Sequence, residues 1–294
     1  AVGLAEDVLS MSVPMRGRMI HSVSGATAFQ PYGVDDSQAI NSVSRGGLNI
    51  ALLQAAAKHP NVRLVFNAKC TDVHAEQGRV EFLDTKTKKE FSVDGDVILS
   101  ADGAFSVVRR ALQKRDRFNY SQDYLAHGYK ELTIPAGANE AHRMEKNALH
   151  IWPRRSFMMI ALPNVDGSYT CTLFWPFEGT DSFAALQDER QVRSFFEQQF
   201  PDALPLLPAL GTDYFANPTG SMVTVRCHPW HVGGRVALLG DAAHAVVPFY
   251  GQGMNATFED VLVFDECIDK HGPDWERVFR AYETSRTPNT DALA

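Results

Sequence analysis

The stretch RVALLGDAAHAVVPFYGQGMN, residues Arg235–Asn255, decides the fold of the C-terminal part of the chain. It begins with a short apolar run, Arg235–Leu239, which is typical of a strand buried in a parallel sheet. Asp241 follows at the carboxyl end of this strand, where α/β sheets bind ligands, and an ionised carboxylate accepts hydrogen bonds from polyol hydroxyls. The segment predicts a ligand-binding loop, although a plain strand, turn and helix punctuated by glycine would give a similar pattern.

The second half of the stretch leads into a helix. Gly251 and Gly253 allow the backbone to come close to a flat ligand. Apolar residues at Phe258, Val261 and Leu262 continue at helical spacing and predict a helix that begins near Gly253. Its first turn offers free N–H groups and the positive end of the helix dipole, which stabilises an anionic ring or phosphate by roughly 0.3–2 kcal/mol.

A similar strand and helix pattern occupies the first third of the chain. The predicted elements are a helix capped by Ser44 and stopped by Pro60, a strand at Val62–Phe66, a hairpin that pairs Val80 and Phe82 with Phe91 and Val93, a buried parallel strand at Val97–Leu99, and a helix with Phe105, Val108 and Leu112 on one side. The spacing of apolar residues and the positions of turn residues carry each of these predictions.

Strands dominate the middle of the chain, from Phe118 to Val225. They are predicted at Tyr129–Ile134, Ala148–Trp152, Phe157–Leu162 and Tyr169–Phe174, with turn-rich gaps between them, as in an antiparallel sheet. The order α/β, antiparallel sheet, α/β predicts that one domain is inserted in another. We place the first domain at residues 1–10, 36–117 and 226–294, and the second at residues 11–35 and 118–225.

The composition is that of an ordinary globular protein and excludes several classes. The 294 residues correspond to roughly two domains, and 45% hydrophobic with 21% charged residues excludes a disordered or collagenous chain. A net charge of −7 argues against a nucleic-acid-binding surface. The 4 cysteines are far apart, which favours isolated thiols in a reducing compartment over disulfides or a metal site. No apolar run approaches the length of a transmembrane helix.

The two glycine–aspartate segments resemble those of flavin-dependent aromatic hydroxylases. Gly240-Asp241 resembles the GD motif of that family, and SADGAFSVVR, Ser100–Arg109, resembles its DG motif. The resemblance implies an α/β fold in which an FAD-binding, glutathione-reductase-like domain is interrupted by an antiparallel β-sheet substrate domain. It also implies FAD and NADPH as cofactors, with Asp241 as the ligand of the FAD ribityl chain.

The resemblance gives a set of cofactor-binding residues. They are Arg45, Asp102, Gly103, Asp241, Pro248, Gly251, Gln252, Gly253, Met254 and Asn255. Arg45 begins a predicted helix, where a guanidinium reaches phosphate or ribityl oxygens. From the residues alone, a solvated arginine is an equally open interpretation at that position.

Further segments resemble the branch of this family that hydroxylates L-kynurenine. They are MRGRMIH (Met15–His21), PYG (Pro31–Gly33), HGYKEL (His127–Leu132), LHIWP (Leu149–Pro153), IALPN (Ile160–Asn164) and TCTLF (Thr170–Phe174). By this resemblance Arg18 holds the amino-acid carboxylate, Tyr32 is its hydroxyl partner, and Phe174 and Phe249 pack against the aromatic ring. Arginine suits a carboxylate because its guanidinium binds both oxygens. The alternatives are a surface arginine and two core phenylalanines, and the histidines are interpreted as structural.

The implied reaction is hydroxylation of L-kynurenine to 3-hydroxykynurenine with NADPH and O2, by way of a flavin hydroperoxide, in tryptophan catabolism. The protein would supply positioning, a dry pocket and electrostatics, with no catalytic residue of its own and no metal. Two alternatives stay open. One is a flavin hydroxylase for another aromatic acid, and the other is an inactive truncated product of such an enzyme.

Parts of the family pattern are not found in the sequence. The GxGxxG segment that receives the FAD pyrophosphate is missing, since Gly3, Gly17 and Gly25 do not fit its spacing. The family's C-terminal helices, and the membrane anchor of its eukaryotic members, would follow Ala294. We therefore expect a partial sequence. The resemblance implies the cytosolic face of the mitochondrial outer membrane for a eukaryotic parent, and the cytoplasm for a bacterial one.

Overall fold

The computed structural model describes residues 3–35 and 37–294. Its contacts divide the chain into two compact units, the first formed by Ala1–Arg63 and Ala126–Ser221 and the second by Leu64–Leu125 and Met222–Ala294. Both units are built from separate pieces of the sequence. In this division residues 37–63 group with the middle of the chain, whereas we predicted them in the first domain; the domain boundaries themselves stay a prediction.

The helices and strands have the following bounds. The α-helices are α1 (Ala5–Ser10), α2 (Arg45–Ala57), α3 (Val107–Leu112), α4 (Glu189–Gln199), α5 (Leu210–Ala216), α6 (Asp241–His244), α7 (Gly253–His271) and α8 (Trp275–Leu293). The strands are β1 (Ser12–Met15), β2 (Gly17–His21), β3 (Thr27–Pro31), β4 (Ile40–Val43), β5 (Ala68–His74), β6 (Arg79–Asp84), β7 (Glu90–Asp94), β8 (Ile98–Ser100), β9 (Asn119–Ile134), β10 (Ala148–Arg154), β11 (Phe157–Pro163), β12 (Tyr169–Pro176), β13 (Thr219–His228), β14 (His231–Val232) and β15 (Val236–Leu238).

A large sheet confirms the predicted strands of the middle of the chain. Its order is β13-β9-β12-β11-β10-β2-β3, and β9 to β12 pair antiparallel, as predicted. The pair β2 and β10 is parallel. One face of this sheet packs against α4 and α5, because alternate residues of each strand are apolar and buried. That core contains Leu132, Trp152, Cys171, Leu173, Val192, Phe196, Leu210 and Tyr214.

Short parallel strands form the centre of the second unit. Strand β15 lies between β14 and β8 and pairs parallel with β8, as the apolar runs predicted. Every residue of β15 is buried. Its core also contains Val108, Leu112, Phe264, Val278 and Phe279 from α3, α7 and α8. The predicted hairpin is confirmed in register, with Val80 opposite Val93 and Phe82 opposite Phe91.

Some local predictions are wrong. Val62–Phe66 forms no strand in the described chain, and Phe66 is 64% exposed, so the apolar run lacks the neighbour that a strand needs. Leu99 is 47% exposed, whereas Ser100, whose side chain points to the opposite face of the sheet, is buried. Phe105 precedes α3 and is exposed, whereas Val108 and Leu112 are buried as predicted. Among the described residues, no helix combines the length and the apolarity that a membrane span requires.

Candidate functional site

The two glycine–aspartate loops leave the same edge of the parallel strands. Strands β8 and β15 end side by side, with Leu238 in register with Ser100, and the N–H of Leu239 donates to the carbonyl of Ser100 at 2.8 Å. The chain after β8 continues into Asp102-Gly103, and the chain after β15 into Gly240-Asp241. The carboxyl edge of a parallel sheet is where such folds bind ligands, so the structure brings the two predicted motifs together as the sequence indicated.

Gly240 has a conformation that other residues adopt only with strain. Its φ is 57° and its ψ is −140°, and a Cβ at this position would come within 2.8 Å of the side chain of Thr257. Asp241 follows as the first residue of α6 and is exposed. Its Oδ1 atom lies 3.9 Å from the position that a Cβ on Gly253 would take. The carboxylate of Asp241 therefore lies beside the beginning of α7.

The beginning of α7 offers backbone donors. The side chain of the N-cap residue Gln252 does not cap this turn, and the first helical bond runs from the N–H of Ala256 to the carbonyl of Gln252 at 2.8 Å. Gly251 has a left-handed φ of 63°, and among the described residues outside its chain neighbours no atom lies within 4 Å of where its Cβ would be. Open space and the backbone N–H groups of a helix start, next to a carboxylate, suit a polar, partly anionic ring system.

The other predicted residues of this loop are accessible. Pro248 begins a short 3₁₀ helix and is exposed, whereas Phe249 is half-buried. Met254 is 46% exposed, and Asn255 donates from Nδ2 to Oε1 of Gln252 at 3.2 Å. Their contacts with a cofactor stay a prediction, but all of them lie on one short segment beside Asp241.

Asp102 is used by its own loop. Its Oδ2 accepts hydrogen bonds from the N–H groups of Val107 at 2.7 Å and Val108 at 3.3 Å, and its Oδ1 accepts from the hydroxyl of Ser100. Burial alone would raise its pKa, but these bonds and the nearby Ser106 hydroxyl outweigh burial and hold the pKa of Asp102 below its ordinary value. The carboxylate thus orders the start of α3. Gly103 beside it has φ 81° and open space around Cα.

Arg109, the last residue of the segment Ser100–Arg109, connects the two loops, and the sequence analysis gave it no role. It is 2% exposed, and its Nη1 donates to the carbonyl of Ala242 at 2.7 Å. Its Nη2 donates to the carbonyl of Ala104, and its guanidinium lies 5.2 Å from the ring centre of Tyr120. Arg109 therefore joins the loop after β8 to helix α6 of the loop after β15. The sequence signal that could have identified Arg109 was a charged residue next to Val108, which was predicted on the buried side of the helix.

The predicted carboxylate-binding pair is formed in the first unit. The guanidinium of Arg18, on β2, lies 5.3 Å from the ring centre of Tyr32, and Arg18 is exposed. The N–H of Tyr32 donates to the carbonyl of Arg16 at 2.9 Å, which holds the tyrosine beside β2. The Tyr32 hydroxyl is buried and has no hydrogen-bond partner among the described residues. A cation next to an unsatisfied hydroxyl suits an anion with several acceptor oxygens.

Phe174 shares a sheet face with Arg18 but is not close to it. Arg18 is in register with Leu149 of β10, and Phe174 is in register with Met158 of β11, which pairs with Pro153 of β10. Cross-strand partners share a face, as do alternate residues of one strand, so Arg18 and Phe174 lie on the same side. The strands are three positions apart, which is about 14 Å at the usual spacing. Phe174 is 3% exposed and lies opposite the α4 and α5 core.

The remaining predicted residues are placed on separate elements. Arg45 is exposed at the first residue of α2, whose start is capped by Ser44 accepting from the N–H of Gly47 at 3.2 Å. Phe249 belongs to the second unit and Phe174 to the first. Within the described part of the chain, no group of His, Cys, Asp and Glu is placed to hold a metal ion.

Two histidines near Arg18 form a buried polar chain that the sequence did not reveal. His21, at the end of β2, lies with Nδ1 2.6 Å from Oδ2 of Asp202 and Nε2 2.9 Å from Nδ1 of His150. The Nε2 of His150 lies 2.8 Å from the carbonyl oxygen of Glu145, and Trp152 donates to Asp202 at 3.0 Å. The chain ties the parallel pair β2 and β10 to the loop after α4. It fits the structural role that we predicted for the histidines.

This buried chain makes the first unit sensitive to acid. Burial is the main cause that lowers the pKa of His150 from its ordinary value of 6.5 to about 4. Between those values the unfolded chain binds the proton more readily than the folded chain, so the free energy of unfolding falls as pH drops from 6.5 towards 4. We expect this site alone to remove about 2 kcal/mol between pH 7 and pH 5, measured by urea denaturation at both values.

The matched variants are His150→Gln and His59→Gln. The first removes the titrating ring and is expected to flatten the loss between pH 7 and pH 5, because a glutamine does not titrate. The second changes an exposed position and should leave the pH dependence unaltered. An equally steep loss in His150→Gln would contradict the assignment.

The sequence matches one protein family and many characterised relatives. The profile of the FAD binding domain family matches residues 1–288. The chain is 51% identical over 293 residues to kynurenine 3-monooxygenase of Myxococcus xanthus, and 47% identical over 297 residues to that of Sus scrofa. These alignments cover 100% of this chain but 63% and 62% of the relatives. The chain thus spans less than two thirds of their length.

Solved structures with low sequence identity share the fold. The structure of 2-methyl-3-hydroxypyridine-5-carboxylic acid oxygenase gives a TM-score of 0.74 at 22% identity, covering 98% of this chain and 73% of that one. PqsL of Pseudomonas aeruginosa gives 0.75 at 18% identity, covering 99% and 79%. Both confirm the predicted architecture of α/β elements combined with antiparallel sheets. This chain belongs to the FAD binding domain family and has the fold of its aromatic hydroxylases.

Proposed function

We propose that the chain is the cofactor- and substrate-binding part of an FAD-dependent monooxygenase that hydroxylates L-kynurenine to 3-hydroxykynurenine with NADPH and O2. The observation that carries this proposal is the similarity to enzymes named kynurenine 3-monooxygenase, at 43–51% identity over at least 99% of this chain. Such identity along the whole chain includes the strand-edge loops, which follow β8 and β15 and carry Asp102-Gly103 and Gly240-Asp241. It also includes the sheet that bears Arg18. The relatives are longer than this chain, so the proposed activity is that of a whole protein and not of these 294 residues alone.

The residues of the second unit fit FAD. The exposed Asp241 carboxylate can accept a hydrogen bond from a ribityl hydroxyl, since an ionised carboxylate only accepts. The first turn of α7 can donate N–H groups to the ring edge, and its dipole favours the negative charge of a reduced flavin. Gly251 and Gly103 leave open space where a side chain would stand. Held by these residues, FAD would supply the redox chemistry of the reaction, with NADPH as the reductant and O2 as the oxidant.

The residues of the first unit fit an amino-acid substrate. The exposed guanidinium of Arg18 can bind a carboxylate through two hydrogen bonds, and the buried Tyr32 hydroxyl has no partner among the described residues. Phe174 lies on the same sheet face but three strands from Arg18, and its contact with the aromatic ring stays a prediction. The amine of L-kynurenine already activates its ring, so the protein has to bind, orient and exclude water rather than transfer protons.

The first experiment measures bound flavin and substrate-stimulated NADPH oxidation. We expect the purified protein to take up FAD with a perturbed visible spectrum, and to oxidise NADPH faster with L-kynurenine than without it. Kynuramine, which lacks the carboxylate but keeps the ring and ketone, should stimulate far less. Equal stimulation by both would favour a hydroxylase for another aromatic compound. A folded protein that takes up no FAD would favour the inactive, truncated alternative.

A further inference from the structure

A fully buried carboxylate stands behind the loop that carries Asp241. Asp260, on α7, is 0% exposed. Its Oδ2 accepts from the N–H of Gly240 at 3.0 Å and lies 2.6 Å from Nε2 of His244. Its Oδ1 accepts from Nε of Arg286 at 2.8 Å, and Arg286 is itself 0% exposed. One carboxylate thus receives donors from three separate places in the chain.

Two of these contacts are made with the two ends of α6. Gly240 is the residue that caps α6, and His244 is its last residue. A helix of 4 residues cannot hold its own shape, because its nucleation cost is not repaid over so few hydrogen bonds. Within the described chain, no side chain caps its beginning. The bonds to Asp260 therefore tie both ends of α6 to the longer helix α7.

Asp241 is the first residue of this tethered helix. Fixing the Gly240 peptide and His244 fixes the backbone on both sides of Asp241, and so limits the directions that its carboxylate can take. Arg286 supplies the charge that keeps Asp260 ionised inside the protein. Burial alone would raise the pKa of Asp260, but the bonds from His244 and Arg286 outweigh burial and hold the pKa below its ordinary value.

We propose that Asp260 is a positioning residue for the cofactor: through Gly240 and His244 it holds α6 so that the Asp241 carboxylate faces the FAD ribityl chain. This inference rests on the proposed function, since it takes Asp241 as an FAD ligand. Asp260 itself is buried and touches no ligand. Preorganisation of this kind lowers the ordering cost of binding, so the loss of Asp260 should appear as weaker FAD binding.

The test is a double-mutant cycle on FAD affinity, measured by quenching of flavin fluorescence. We expect Asp241→Asn to weaken binding roughly 10- to 100-fold, because a charge-assisted hydrogen bond is lost. Asp260→Asn should weaken it roughly tenfold, since an amide cannot accept at both of its heavy atoms. Because Asp260 acts through Asp241, the double variant should bind no more weakly than Asp241→Asn alone.

Two further variants keep the test decisive if Asp260→Asn folds poorly. His244→Ala removes one tether and leaves the Asp260–Arg286 pair intact, so it should also weaken FAD binding without adding to Asp241→Asn. His244→Gln restores a donor and should recover most of the affinity. Glu259→Gln is the matched control: Glu259 is the neighbouring residue, 2.9 Å from Nη1 of Arg286 and 53% exposed, and its loss should leave FAD affinity unchanged.

A second readout does not need FAD. Hydrogen–deuterium exchange of the apoprotein should speed up at residues 240–244 in Asp260→Asn and His244→Ala, and stay unchanged in β10–β12. Additive losses of affinity in the double variant, or unchanged exchange at residues 240–244, would overturn the positioning role. If the unaltered protein takes up no FAD, the proposed function fails, and the exchange measurement still decides whether Asp260 orders α6.

Discussion

Replacing Arg18 with methionine is expected to lower kcat/KM for L-kynurenine by roughly 10²–10³-fold. The exposed guanidinium lies 5.3 Å from the centre of the Tyr32 ring, and the substrate carboxylate would receive two charge-assisted hydrogen bonds from it. Methionine has a similar length and no donor, so both bonds are lost while the strand keeps its packing. Steady-state NADPH oxidation at several L-kynurenine concentrations measures the change.

The same variant should remove the preference for a carboxylate. In the unaltered protein we expect kcat/KM for L-kynurenine to be much higher than kcat/KM for kynuramine. In Arg18→Met the ratio of these two values should approach one. Arg18→Lys keeps the charge but loses the planar fork, so its activity should fall between the two. FAD affinity should stay constant throughout, because Arg18 is not among the residues predicted to bind FAD. A preserved preference in Arg18→Met would show that another residue binds the carboxylate.

The strand-edge loops could be predicted from sequence because their signal is local. A short apolar run followed within four residues by an adjacent glycine and aspartate indicates a buried strand and its carboxyl end. Two such runs, Val97–Leu99 and Arg235–Leu239, were enough to expect parallel strands in one sheet. The structure pairs Ala237 with Leu99 and so places both loops on the same edge.

The residues that hold these loops could not be predicted, because their partners are distant in sequence. Arg109 reaches a carbonyl 133 positions away, and His21 pairs with an aspartate 181 positions away. Asp260 did have a signal in the sequence, because its position has helical spacing with Ala256, Phe264 and Cys267. These four residues form the buried stripe of α7. A carboxylate in that stripe has to be paired, but only the fold identifies its partners.

Apolar residues were a poor guide to burial at several positions. Phe258, Val261 and Leu262 predicted α7 correctly by their spacing, yet they are 45–50% exposed. The buried side of the helix is the one that bears Asp260. Periodicity identifies a helix from any apolar stripe, but it does not say which neighbour covers that stripe. The sequence therefore predicted the element and not its orientation.

Replacing Arg286 with methionine is expected to destabilise the second unit by about 3–5 kcal/mol, because it leaves the buried Asp260 carboxylate without its guanidinium partner. Both side chains are 0% exposed, and Nε of Arg286 lies 2.8 Å from Oδ1 of Asp260. A loss of this size should lower Tm by roughly 5–15 °C. Thermal unfolding followed by calorimetry measures it. The matched control is Arg280→Met on the same helix.

The control separates a buried charge from an exposed one. Arg280 lies 2.9 Å from Glu276 four residues earlier, but the two side chains are 69% and 55% exposed. Water solvates either partner alone, so Arg280→Met should change stability by no more than about 0.5 kcal/mol. Equal losses in Arg286→Met and Arg280→Met would show that burial of the pair does not matter.

Removing both charges should recover much of the stability that is lost when Arg286 alone is replaced. In Asp260→Asn/Arg286→Met the buried position is neutral, and the amide oxygen can still accept from Gly240. We expect this double variant to be more stable than Arg286→Met, since the penalty in the single variant comes from an unpaired charge and not from lost packing. If the double variant is as unstable as the sum of its parts, the guanidinium of Arg286 stabilises α8 by its packing, and the charge of Asp260 is not the cause.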